Sequence, residues 1–119
     1  MQTFENLIEN KKGKLIKMKD IGRKGHYFFE REAITYMQQH NLDEKYYIIE
    51  RLKLVKIEGE INKASKIKIG DTEYRIGYYI VGKIGRGQGR WMWGQFCPMI
   101  PAPDFDKLIK KAREEKTLL

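Results

Sequence analysis

Residues 72–101, TEYRIGYYIVGKIGRGQGRWMWGQFCPMIP, carry the pattern that decides the fold. Two runs rich in aromatic and β-branched residues, 76–83 and 90–97, flank the glycine-rich tip Ile84-Gly85-Arg86-Gly87-Gln88-Gly89. That is the signature of an antiparallel hairpin. With Lys83 facing Arg90, Trp91 falls opposite Gly82, Trp93 opposite Ile80 and Phe96 opposite Gly77. A slip of one residue would exchange the two faces, because side chains alternate along a strand.

Upstream, 66–69 and 72–82 flank Gly70-Asp71, whose leading glycine suits a two-residue type II′ turn. This register sets Lys68 opposite Glu73, an opposite-charge pair, and Ile67 opposite Tyr74. The run 46–57, YYIIERLKLVKI, reads as a long strand. Leu52 and Leu54 share one face while Val55 and Ile57 share the other, which implies a bulge near 54–55 or burial on both faces.

Residues 28–41, FFEREAITYMQQHN, read as a helix, with Phe29, Ala33, Tyr36, Met37 and His40 on one stripe. Glu30 and Glu32 then sit in its first turn, and Asp43-Glu44-Lys45 forms the connection that follows. The segment from Pro98 to Pro103 cannot continue a central strand. A helix over 103–115 comes next, with Phe105, Leu108, Ile109 and Ala112 on one face. Asp104 and Asp106 lie at its start and Lys110, Lys111 and Arg113 near its end, as the helix dipole favours. Residues 3–9 form a short helix capped by Thr3. Between them and 28–41, the segment 11–24 carries seven basic residues and one acid as a loop or short strand.

Together these give an α+β chain: a single two-layer domain, 1–119, with a four- or five-stranded antiparallel meander sheet. Its two main helices, about 28–41 and 103–115, cover one sheet face. That core face holds Ile67, Ile69, Tyr74, Ile76, Tyr78, Ile80, Trp91 and Trp93. The opposite face holds Lys66, Lys68, Glu73, Arg75, Tyr79, Val81, Lys83, Arg90, Met92 and Phe96.

The net charge is +8, from 24 lysines and arginines against 16 acids. Such a surplus draws polyanions without specifying a contact. The second face supplies the contacts that single-stranded nucleic acid requires, rings to stack bases and cations to meet phosphates. The expected nucleic-acid-binding residues are Lys66, Lys68, Arg75, Tyr79 and Phe96, with Arg86 and Arg90 at the glycine tip. The alternative is a protein-interaction or self-associating domain, a homodimer among them, that buries this face or the tail Thr117-Leu118-Leu119.

Other functions find little support in the sequence. Gly85-Arg86-Gly87-Gln88-Gly89-Arg90 lacks the third glycine and the following helix of a dinucleotide site, and the Gly-Lys-Ser/Thr of a P-loop. Cys97 is read as a small buried hydrophobe rather than a nucleophile served by His26 or His40. One cysteine and two distant histidines specify no zinc site, and Glu50, Glu58, Glu60, Asp71 and Glu73 form no recognisable nuclease cluster. No catalytic residue, metal or cofactor is therefore assigned, and a binding module is preferred to an enzyme. No apolar run is long enough to span a membrane, and MQTFENLIEN lacks the pattern of a signal peptide. A lone cysteine fits a reducing compartment, so the expected location is the cytoplasm.

Overall fold

The computed structural model describes residues 3–119. Its elements are α1 (Phe4–Lys11), β1 (Leu15–Lys19), β2 (His26–Gln39), β3 (Leu42–Glu58), β4 (Thr72–Val81), β5 (Trp91–Trp93) and α2 (Ala102–Glu114). The strands form one antiparallel meander in the order β1-β2-β3-β4-β5. Five strands and two helices make an α+β fold, as expected. The two helices lie on opposite faces of the sheet.

The helix expected over 28–41 is instead β2. Two features hide the strand. Ile34 and Tyr36 pack under α1 while Met37 packs under α2, so both faces are apolar and the usual alternation disappears. Glu32 is moreover an extra residue against β3, since Arg31 faces Leu52 and Ala33 faces Arg51. The bulge resets the phase, and a strand with a reset phase mimics a helical stripe. The strand ends in a tight turn at His40-Asn41, and the expected 43–45 connection already belongs to β3. The bulge expected near 54–55 is present at Val55, because Phe28 faces Lys56 and Phe29 faces Leu54.

The hairpin about Gly70-Asp71 does not form. β4 pairs with β3 instead, with Glu50 opposite Arg75 and Ile48 opposite Gly77. Residues 59–71 form a loop folded back along β3, where Gly70 N–H donates to Leu54 C=O at 2.8 Å and Leu54 N–H to Asp71 C=O at 2.9 Å. Asp71 Oδ2 accepts from Lys68 N at 3.0 Å, which closes the turn locally and removes the need for a partner strand.

The β4–β5 hairpin is real but slipped by one residue: Tyr79 faces Trp93, Ile80 faces Met92 and Val81 faces Trp91. Its tip contains a 3-10 turn at Gly85–Gly87, and Gly82 bonds to both Gly89 and Arg90. The turn takes up the residue that a simple hairpin would have left in the ladder. The predicted faces are therefore exchanged for the tryptophans. They join Tyr79 and Val81, while Tyr74, Ile76 and Met92 on the other side are more than two-fifths exposed.

On the α1 side, Phe4 stacks on Tyr46 at 4.2 Å and meets Tyr36, Tyr79 and Trp91 edge-on at 5.2–5.6 Å. Thr3 caps the helix as expected, its Oγ1 accepting from Asn6 N at 3.2 Å. A second cluster on the same face joins Phe29, Leu52 and Leu54 to Ile16, Met18, Tyr27, Ile57 and Ile67. On the other side, Leu108 and Ala112 of α2 pack on Tyr47 and Ile49. The tail closes this layer. Thr117 is buried against Thr35, with Oγ1 atoms 2.8 Å apart, and Leu118 joins the α2 cluster.

Asp104 is buried at the start of α2, where Oδ2 accepts from His40 N and lies 3.0 Å from His40 Nδ1. Burial alone would raise its pKa, but the His40 backbone and ring contacts outweigh it and hold the carboxyl below its ordinary 3.8. A depressed folded pKa adds stability above the unfolded value, and that stability is lost as pH falls through the folded value. The stability gap between wild type and Asp104→Asn is thus expected to be widest above about pH 5 and to close below about pH 4 in urea titrations. A gap that does not change with pH would contradict this.

Candidate nucleic-acid interface

The expected contact residues fall into three places. Lys66 and Lys68 are exposed on the 59–71 loop, beside the distal end of β3. Arg75 and Tyr79 lie on the α1 side of β4. There Tyr79 is only 6% exposed, and Arg75 Nε donates to Glu50 Oε1 at 2.7 Å. Arg86, Arg90 and the 80%-exposed Phe96 belong to the β4–β5 end. The ten residues of β4 separate this end from Lys68 by roughly 30 Å at 3.3 Å per residue. The predicted set is therefore not one surface.

A basic and aromatic surface does exist, on different strands. α2 and the tail cover only part of their side of the sheet, leaving the distal half of β1–β2–β3 open. The burial of β1 alternates, with Ile16 and Met18 turned inward and Leu15, Lys17 and Lys19 exposed. Across the ladder, Lys17 faces Phe28 and Phe28 faces Lys56. Both ammonium groups approach the Phe28 ring, at 5.8 Å and 5.3 Å from its centroid. In neighbouring rows Lys19 faces His26, and Glu30 faces Lys53. Lys17, Lys19, Lys53 and Lys56 outnumber Glu30 and Glu58 there, and Lys56 pairs with Glu58 at 3.4 Å. The surface retains a positive surplus, with Lys66 and Lys68 at its rim.

The sequence held a signal for this surface. Residues 11–24 are basic with interspersed apolar residues, and Phe28-Phe29 would alternate faces in a strand. Reading 28–41 as a helix obscured both.

Comparison with known proteins finds no family model, curated protein or solved structure that matches this chain. The geometry alone therefore carries the functional argument.

The remaining polar candidates settle into distinct roles. Glu50, an isolated acid within the apolar run of β3, is 1% exposed and is held by two arginines: Arg75, and Arg31, whose Nε lies 3.0 Å from Oε2. Cys97 is exposed rather than buried, since β5 ends at Trp93 and Cys97 lies beyond the sheet. His40 is engaged by Asp104, and His26 lies at the far end of β2. No helix is long and apolar enough to cross a membrane.

Proposed function

We propose that this chain is a small basic binding module that contacts single-stranded nucleic acid through the outer face of β1–β2–β3. The observation that supports this reading most is the Phe28 ring flanked by Lys17 and Lys56 on an uncovered sheet face. A partly exposed ring on this face offers a base a stacking partner of any sequence, and flanking cations meet the phosphates on either side. Lys19 and Lys53 extend the positive track, and Lys66 and Lys68 continue it past the edge of β3. Lysines on strands reach phosphates as point charges, with little base selectivity.

Binding of a fluorescent single strand should weaken steeply with salt. Four phosphate contacts give a log–log slope of roughly −3, a loss of about fiftyfold between about 50 and 200 mM salt. Phe28→Ala should weaken binding about tenfold through lost stacking. Lys17→Ala with Lys56→Ala should reduce the slope by about one unit or slightly more. Absence of binding at low salt, or binding indifferent to all three substitutions, would overturn the proposal.

A further inference from the structure

The face under α1 carries a second, separate cluster of charge. Glu50 receives the Nε groups of Arg31 and Arg75, whose side chains are 13% and 28% exposed. Among the described residues, the terminal guanidinium nitrogens of both arginines have no protein acceptor, since each uses only Nε. The Arg75 guanidinium carbon lies over the Trp93 ring, 4.4 Å from its centroid. Lys11, at the end of α1, points into the same region, its ammonium 5.8 Å from the Tyr79 ring and in no ion pair among the described residues. Glu73, on the same face of β4, is exposed and pairs with none of the three.

Two guanidinium groups thus meet one carboxylate, and a third cation, Lys11, lies on the same face beside the Tyr79 ring. The C-terminal end of α1 contributes at most about half a negative charge near Lys11, so the cluster remains strongly positive. Burial, and then the charges of Arg31 and Arg75 against only Glu50, lower the Lys11 pKa, the mark of an ammonium short of a counter-charge. Partly buried cations with free donors require an acceptor, and two guanidinium forks with an ammonium match an oxyanion.

We propose that Lys11, Arg31 and Arg75 form a binding site for the phosphate or carboxylate group of a small ligand, distinct from the outer nucleic-acid face. Glu50 acts as the tether. By fixing both arginines through Nε, it aims their remaining N–H groups outward together and limits the cost of holding like charges side by side. Trp93, beside Arg75, reports on occupancy.

The test is a titration of the full chain with inorganic phosphate, adenosine monophosphate and succinate, followed by tryptophan fluorescence and by NMR of the arginine Nε–H signals. Saturable changes at Arg31 and Arg75 are expected. A preference for the two phosphates or for succinate identifies which oxyanion the site takes. Lys11→Met, which disturbs no ion pair, should keep the fold by circular dichroism and weaken binding about tenfold or more. No saturable response to any probe would overturn the proposal, as would an undiminished response in Lys11→Met. If Lys11→Met weakened single-strand binding as much as phosphate binding, the cluster would belong to the nucleic-acid track, which would also overturn a separate site.

Discussion

Glu50→Gln is expected to lower the unfolding free energy by about 3 kcal/mol, the low end of the cost of breaking a buried ion pair. The carboxylate is almost wholly buried, whereas Arg31 and Arg75 retain some solvent, and that exposure places the loss at the low end. The amide keeps the shape of the side chain but leaves two guanidinium groups facing a neutral partner that turns a donor towards one of them. In urea titrations the midpoint should fall while the slope stays unchanged, because no additional surface is exposed on unfolding. Replacing all three residues, as Arg31→Met, Glu50→Leu and Arg75→Met, should recover most of the loss, since the apolar trio has no charge to desolvate. A Glu50→Gln protein within about 0.5 kcal/mol of wild type would mean that water, not arginine, satisfies this carboxylate.

Phe4→Ala should cost about 3–5 kcal/mol, the range for truncating a buried aromatic residue. Phe4 is the residue through which α1 is fastened, with Tyr46 stacked on it and three further rings around its edge. Eight residues do not make a stable helix in water without such an anchor. Loss of the ring should release α1, expose Tyr79 and Trp91, shift tryptophan emission to the red and abolish amide protection in residues 4–11. A loss below about 1 kcal/mol with unchanged emission would show that Ile8 alone holds the helix in place.

Much of this architecture is legible in the sequence, and the failures have two physical causes. β3, β4, β5 and both helices at the ends of the chain appear close to where their patterns place them, and the bulge at Val55 follows from the broken alternation of 46–57. β2 was hidden because its two faces are both covered and a bulge resets its phase. Its Ile34, Thr35 and cluster of rings at 27–29 are nonetheless strand-favouring residues, and they outweigh the apparent stripe. The registers failed where the connections are irregular: the 59–71 loop returns along β3, and the 3-10 turn shifts β5 by one residue. Gly77 held the clue to that shift. A Cβ there would collide with the Trp93 ring, so a glycine inside a strand marks where an aromatic side chain crosses its backbone.

The candidate sites were less legible, because a single residue of register moves a side chain through the sheet. Tyr79 and Arg75 were rightly placed on one face, but that face is the interior under α1. A different basic and aromatic group lies on the other side, carried by Lys17, Phe28 and Lys56, which only a strand at 26–39 brings together. Glu50 could have been noticed as the one acid within an apolar run, a position that requires a cationic partner.

The most direct test of the functional account is an NMR map of backbone amides with and without a short single strand at low salt. The account predicts shifts concentrated at Lys17, Lys19, Phe28, Lys53 and Lys56, extending to Lys66 and Lys68, with Arg86, Arg90 and Phe96 unaffected. Shifts centred on the Gly85–Gly89 tip, or none anywhere, would contradict it.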